Sequence, residues 1–73
     1  MRLNELSPGT KAFVKKVHAR GMISQRLRDF GFFPGVEVKV LRCSPLKDPV
    51  EFLVESNFIS IRHEEAHCVE VTE

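Results

Sequence analysis

Apolar and polar residues alternate in several short stretches of the chain, which is the pattern of β-strands that bury one face. The alternation is clearest at residues 36–40 and 50–54, and it recurs in shorter form further along. A period of two places alternate side chains on opposite faces of a strand. The residues predicted to point inward are Val36, Val38, Val40, Val50, Phe52, Val54, Ile59, Ile61, Val69 and Val71.

Turn residues separate these stretches. The pairs Pro8-Gly9 and Pro34-Gly35 each precede a strand-like stretch, because proline fixes φ and glycine accepts the positive φ of a tight turn. Residues 44–49 contain two prolines, which cannot donate a hydrogen bond to a sheet, and are predicted to form a hairpin loop. A shorter turn is expected at Ser56-Asn57, before the strand that carries Ile59 and Ile61.

One helix is predicted among the strands. Ile23, Leu27 and Phe30 have the i, i+4, i+7 spacing of a single helical face. Ser24 can cap the first turn, and Gly31 supplies the left-handed residue that ends many helices. A helix of about two turns is marginal alone, so we expect its apolar face to pack on the sheet.

About five short strands with tight turns and one short helix predict an all-β fold, a small, partly open SH3-like barrel. At 73 residues, the chain is expected to form one domain, residues 1–73, with a thin core. No apolar run approaches the ~20 residues that span a bilayer. The first residues lack the basic start and apolar stretch of a secretory signal. We therefore expect a cytoplasmic protein without direct membrane insertion.

Charge is unevenly distributed along the chain. Residues 1–47 carry ten Lys and Arg against three acidic residues, whereas residues 48–73 carry one against seven. A basic half can mark a nucleic-acid surface, but strands from the two halves can also lie side by side and cancel. The chain lacks Trp and Tyr, and most of its six Phe fit core positions, so a base-stacking platform is missing. The basic cluster is interpreted as a solvated strand face: Lys11, Lys15, Lys16, His18 and Arg20.

The stretch from His63 to His67 matches H-E-x-x-H, the pattern of zinc peptidases. That chemistry needs a long helix and a third ligand, whereas strand-like residues flank this stretch on both sides. His63 and His67 are weak candidates for binding a transition metal ion, and Cys43, Cys68 and His18 are the other soft donors. Two cysteines without a C-x-x-C pair indicate neither a disulfide framework nor a zinc ribbon. Solvated histidines and free thiols are the preferred interpretation.

Four groups of residues, in order and spacing, resemble the FeoA family, the ferrous iron transport protein A family. They are Leu3-x-x-Leu6-x-Pro8-Gly9, Arg26-Leu27-x-x-Phe30-Gly31-Phe32-x-Pro34-Gly35, Pro45-Leu46-x-Asp48-Pro49 and Arg62-x-Glu64-Glu65-Ala66. The resemblance covers essentially the whole chain. Phe30 and Phe32 stand where the family more usually has aliphatic residues, and Asn57 stands in a turn where it usually has glycine.

The resemblance implies an SH3-like barrel that acts as a small cytosolic accessory or regulatory protein of ferrous iron uptake. Its partner would be the FeoB-type ferrous iron transporter, contacted on the cytosolic side of the membrane. The element containing Glu64, Glu65 and Ala66 is expected, by the same resemblance, to form one helical turn with Ala66 packed inward. No catalytic residue is predicted, and the only cofactor considered is a weakly bound transition metal ion.

A partner surface is predicted on the helix and the turn that follows it, because arginines lie there beside aromatic residues. Phe32 and Phe33 are adjacent, so an extended backbone sends them to opposite sides, and a small barrel can hardly bury both. The alternative is that one ring plugs the end of the barrel and the other lies flat over it. Other open functions are a metal-binding protein and a small nucleic-acid-binding barrel, and weak self-association is a further option. The residues assigned to the surface are Arg26, Arg28, Phe32, Phe33 and Pro34.

Overall fold

The computed structural model describes residues 1–43 and 48–73. Five strands form one antiparallel sheet, and their bounds are β1 Lys11–Val17, β2 Glu37–Cys43, β3 Val50–Val54, β4 Asn57–Ile61 and β5 Val69–Thr72. The strand order across the sheet is β4-β3-β2-β1-β5, so β4 and β5 are the two edges. The sheet is not closed, which agrees with the partly open barrel predicted from the sequence.

Two helices and one 3₁₀ turn complete the described part of the chain. They are the 3₁₀ turn Leu3–Glu5, α1 Gly21–Asp29 and α2 His63–Ala66. The 3₁₀ turn had no signal in the apolar pattern, yet it buries Leu3, and Leu6 follows it into the core. Neither helix in the described ranges is long or apolar enough to cross a membrane.

The core is built from the predicted inward faces of the strands. Of the ten positions named above, eight are buried, and Val36 and Ile59 are only partly buried. Phe32, from the turn after α1, packs edge-to-face on Phe52 with ring centroids 6.4 Å apart, an arrangement that aromatic quadrupoles favour. The period-two pattern therefore identified most of the strand residues that form the core.

The helix α1 begins earlier than its apolar pattern predicts. It starts at Gly21 rather than near Ser24, and Arg20 precedes it without a side-chain cap. Leu27 is fully buried, but Ile23 is 45% exposed, so the predicted stripe is buried only at its C-terminal end. Gly31 has φ +98°, which confirms its predicted role in ending the helix.

The turn between β3 and β4 lies one residue earlier than predicted. Val54 pairs with Asn57, so Glu55 and Ser56 form the turn and Asn57 belongs to the strand. Glu55 takes φ +57°, a value that seldom suits a residue with a side chain, which explains why the sequence did not indicate it. Most of the predicted loop 44–49 lies outside the described residues. Its last two residues, Asp48 and Pro49, are described and directly precede β3.

Phenylalanines are less buried than the sequence suggested. Only Phe32 and Phe52 are fully buried, whereas Phe13, Phe33 and Phe58 are 46%, 49% and 78% exposed. Phe13 and Phe58 occupy outward positions of β1 and β4, because the inward positions belong to smaller residues such as Ala12 and Ile61. The expectation that most phenylalanines lie in the core was therefore wrong.

The two edges of the sheet differ in what covers them. On β5, the N–H of Val71 donates to the carbonyl of Met1 at 2.8 Å, and Arg2 forms an isolated bridge with Glu70. Within residues 1–43 and 48–73, the strand β4 pairs with β3 alone. Its exposed residues Asn57, Phe58 and Ser60 therefore border an open edge.

Candidate functional site

A cleft of about 510 Å³ opens where α1, the end of β4 and the start of α2 meet. A smaller depression of about 310 Å³ shares three of its residues and extends toward Ile23 and Glu64. We call the first the β4 cleft. Its lining residues are Arg26, Asp48, Pro49, Ser60, Ile61, Arg62 and Glu65.

A buried carboxylate organises the β4 cleft. Glu65, in the first turn of α2, is the one charged residue that is buried in the described ranges. Its Oε1 accepts a hydrogen bond from the backbone N–H of Arg62 at 3.0 Å, and its Oε2 lies 3.2 Å from Nε of Arg26. The first contact satisfies an N–H at the start of α2, as a capping glutamate does. The second ties α2 to α1.

Two arginines line the cleft, and they differ in whether a carboxylate pairs with them in the described ranges. The guanidinium of Arg26 is held by Glu65 on one side and lies 5.3 Å from the centre of the Phe30 ring, within range of a cation–π contact. Its terminal nitrogens have no further hydrogen bond within residues 1–43 and 48–73. The side chain of Arg62 is exposed and has no charged partner in the same ranges. In the described ranges, the cleft thus presents one arginine that is paired with a carboxylate, Arg26, and one that is not, Arg62.

The surface predicted from the sequence is only partly assembled. Arg28 is exposed on α1 and donates from Nη2 to Oε1 of Gln25 at 3.2 Å. Phe33 and Pro34 are exposed in the turn after the helix. Phe32 is fully buried against the core, so its ring is not on the surface. The exposed aromatic of the pair is Phe33, as the opposed directions of adjacent side chains suggested.

The two metal candidates flank one turn of helix. His63 begins α2 and donates its backbone N–H to Oδ1 of Asp48 at 2.7 Å, while its Nε2 is buried without a hydrogen-bond partner in the described ranges. His67 lies just past α2, with Nδ1 3.4 Å from Oδ1 of Asn4. No cluster of three or more potential ligands forms in the part of the chain that the structure describes. Ala66 is buried, as the family resemblance implied.

The predicted basic strand face carries an acid from the other half of the chain. Oε1 of Glu70 on β5 lies 2.6 Å from Nε2 of His18, and its Oε2 lies 3.5 Å from Nζ of Lys15. The hydrogen bond from His18, with a smaller contribution from Lys15, lowers the pKa of Glu70 below its usual value. Arg26–Glu65 and Arg42–Glu51 likewise join the basic half to the acidic half. The charge asymmetry along the sequence is therefore partly cancelled in space.

Of the seven residues that line the β4 cleft, sequence reasoning assigned only Arg26 to a functional surface. Ser60 and Arg62 were assigned to a strand and to the family pattern, and Glu65 was treated only as part of that pattern. A signal for Glu65 existed, because a glutamate three residues after a helix start commonly reaches back to cap it. Nothing in the local pattern indicated that the same carboxylate would meet Arg26, which is distant in sequence.

Comparison with known proteins gives one consistent result. The family model of the FeoA domain matches residues 1–73 of this chain. A fusion of Fe(2+) transport protein A with the Fe(2+) transporter FeoB, from Porphyromonas gingivalis, is 38% identical over 71 residues. The match covers 97% of this chain and 8% of that protein, so this chain spans a small part of the fusion.

Solved structures show the same relationship. A FeoA protein from Chlorobium tepidum superimposes with a TM-score of 0.91 at 38% identity, covering 99% of this chain and 69% of that one. FeoA from Stenotrophomonas maltophilia, determined in complex with zinc and described as an SH3 domain protein, gives 0.84 at 36% identity, covering 97% and 88%. The predicted SH3-like fold is thereby confirmed.

Proposed function

The chain belongs to the FeoA family, and on that premise we propose that it is an accessory protein that contacts an FeoB-type transporter on the cytosolic side. The family is associated with ferrous iron transport. We propose further that this chain regulates the transporter by direct protein–protein contact and catalyses no reaction itself. Iron(II) is then the cargo of the partner.

The main support for the proposal is that, in one relative, Fe(2+) transport protein A and the transporter FeoB are fused in a single chain. Fusion keeps two parts at a high effective concentration, so even a weak contact between them is populated. Between separate molecules, the same contact would require a surface with its own affinity.

The turn after α1 has the composition of such a surface. Phe33 is half exposed and stands beside Pro34, and Arg28 is exposed on the last turn of the helix. Aromatic residues and arginine are enriched among the residues that dominate interface energies, because they provide apolar area together with charge-assisted hydrogen bonds. Arg26 completes the surface and also reaches the β4 cleft. The burial of Phe32 restricts its role to supporting this turn from below.

The test is binding to the purified FeoB-type transporter from the same cell, measured by calorimetry or interferometry. Phe33→Ala is expected to weaken binding by about 1–3 kcal/mol, the range of a modest hot spot. The stability of the variant itself should fall by only about 1 kcal/mol, because half of the Phe33 ring is in solvent. Arg28→Gln should weaken binding as well, by removing a charged donor.

The matched control is Phe13→Ala, which removes a ring of nearly equal exposure from the outer face of β1. It should bind the transporter as the parent does. If Phe33→Ala and Arg28→Gln both bind like the parent, this surface is not the docking site. If the parent itself does not bind, the proposed partnership is wrong.

A metal-binding function has narrower support. The relative from Stenotrophomonas maltophilia was determined with zinc, and His63 has a buried ring nitrogen without a partner in the described ranges. Two histidines without a third ligand hold a borderline metal weakly. Zinc or iron(II) retained in stoichiometric amount through a desalting column, and lost in His63→Gln, would favour this function over the adaptor.

A further inference from the structure

The open edge of β4 leaves backbone groups without partners. A two-residue turn joins β3 to β4, so the flanking pair Val54 and Asn57 is hydrogen-bonded, and bonding alternates along the strand. Asn57, Ile59 and Ile61 therefore bond to β3, while the N–H and C=O groups of Phe58 and Ser60 face away from it. In the described ranges no other backbone group bonds to them.

Among the described residues, this edge lacks the features that usually protect an edge strand. Proteins shield such edges with charged residues, proline, bulges or a covering segment. The residues of β4 are uncharged and contain no proline, and their pairing with β3 is regular along its whole length. Phe58, 78% exposed, adds apolar surface at the open edge.

The β4 cleft continues from this edge. Ser60 belongs to both, because its backbone faces the open side and the residue lines the cleft. Arg62 follows two positions later with an extended backbone, about 7 Å further along. An extended segment bonded to Phe58 and Ser60 would therefore reach the guanidinium of Arg62, in the cleft that Arg26 also lines.

The electrostatics of the cleft select the kind of side chain that fits. Glu65 is already neutralised by Arg26, and Asp48 accepts a hydrogen bond from the backbone of His63. Arg62 is the charge in the cleft whose partner is missing from the described ranges. A carboxylate can receive paired N–H donors from a guanidinium, which neither an amide nor an ammonium group can accept in the same way.

We propose that β4 and its cleft form a binding site for an extended peptide segment that adds to the sheet as a sixth strand. The segment carries an Asp or Glu side chain that pairs with Arg62. Backbone hydrogen bonds to Phe58 and Ser60 supply affinity, and the acidic side chain supplies specificity, as in other cases of strand addition. The inference concerns the class of ligand and does not depend on the transporter being the protein that supplies it.

A second copy of this chain fits the site less well. Two β4 strands could pair through their open edges, but the residues Asn57–Ile61 contain no acid to offer to Arg62. A five-residue strand contact alone would also fall well below the ~1,000 Å² that a stable interface requires. An acidic segment from a different protein satisfies both the edge and the arginine.

The test uses a library of random octapeptides, acetylated and amidated so that no terminal carboxylate is present. Affinity selection on the protein should enrich peptides with alternating apolar residues and one Asp or Glu. For a selected peptide, Glu→Gln or Asp→Asn should weaken binding about tenfold, which corresponds to ~1.4 kcal/mol. Arg62→Gln in the protein should have a similar effect, and Arg42→Gln, an exposed arginine on β2, should have none.

Hydrogen exchange followed by NMR locates the peptide. The amides of Phe58 and Ser60 should exchange quickly in the free protein and become protected in the complex, while those of Asn57 and Ile59 should be protected in both. Selection without acidic peptides, or protection confined to another strand, would overturn the inference. Protection that rises with protein concentration in the absence of peptide would assign the edge to self-association instead, and would also overturn it.

Discussion

The two edges of the sheet are built in opposite ways. The N-terminal residues lie along β5, where Met1 accepts a hydrogen bond from Val71, and the charged Glu70 occupies the middle of the strand. At β4, by contrast, an uncharged strand with an exposed Phe58 has only β3 beside it in the part of the chain that the structure describes. Since uncovered edges invite association, the difference indicates that β5 is an edge for stability and β4 an edge for contact.

The cover on β5 is anchored by apolar burial. Leu3 in the 3₁₀ turn and Leu6 after it are both buried, so the N-terminal segment is part of the core and not a loose end. A segment fixed in this way keeps its backbone groups in register with β5. On β4, by contrast, Asn57, Phe58 and Ser60 are solvent-exposed, and the ring of Phe58 remains 78% exposed in the described molecule.

The largest expected effect comes from releasing the cover of β5. Leu3→Ala removes a buried leucine side chain, which typically costs about 2–5 kcal/mol. Phe58→Ala, at the other edge, should change stability by less than about 0.5 kcal/mol because its ring is mostly in solvent. Urea unfolding of the two variants measures both values.

Amide exchange sharpens the same experiment. In Leu3→Ala the amide of Val71 should lose protection before the amides of β2 and β3 do, because its partner Met1 is no longer held. Equal losses of stability in the two variants would mean that the edges do not differ as described.

An intermediate effect is expected at Glu65, which joins α1 to the helical turn beside β4. Glu65→Gln keeps an oxygen for the N–H of Arg62 but loses the charge that holds Arg26. Hydrogen bonds to charged groups are worth about 1.5–3 kcal/mol, so we expect a loss of about 1–2 kcal/mol with Arg26 half exposed.

Glu51→Gln is the matched comparison, because its pair with Arg42 is exposed on both sides. Exposed pairs contribute about 0–1 kcal/mol. The unfolding temperature of Glu65→Gln should therefore be well below that of Glu51→Gln. The reverse order would show that the buried carboxylate does not organise the β4 cleft.

The smallest effect concerns pH at the covered edge. The hydrogen bond from His18 lowers the pKa of Glu70 below 4.5, so its ionised form favours the folded state. That contribution is complete above pH 4.5 and is lost as the pH falls through the lowered pKa of the folded protein. Glu70→Gln should be less stable than the parent at neutral pH, and the gap should close in acid.

Urea midpoints measured between pH 3 and pH 7 test this. A control variant at an exposed acid outside β5, Glu64→Gln, should not reproduce the convergence. A gap between Glu70→Gln and the parent that stays constant over this range would contradict the role given to Glu70.

How far the sequence predicts this molecule depends on the range of the interactions. Val38, Val40, Phe52 and Val54 were placed correctly because a period of two reports directly on which face of a strand is buried. The start of α1 and the turn at Glu55 were misplaced, since no capping residue or glycine marks them and tertiary packing sets them. Local pattern therefore carried the core but not all of the boundaries.

The site was harder to predict than the core for the same reason. The pair of Glu65 with Arg26 links residues far apart in sequence, and only the assembled fold shows it. The outward position of Phe58 follows from the strand pattern, but its exposure depends on β4 being an edge, which is a property of the sheet order. The family resemblance supplied the fold and the expected role, whereas the β4 cleft came from the structure alone.

The pairing of β1 with β5 has a consequence for synthesis on the ribosome. The register joins Phe13 to Thr72 and Val14 to Val71, so β1 waits for its second neighbour until almost all the residues between them have been made. At about 5–20 residues per second, that interval lasts roughly 3–12 s. Throughout it, β1 can pair with β2 but has an exposed edge that the finished protein never shows. A nascent chain that stalls before Val69 would keep that edge open and become a target for chaperones or for aggregation.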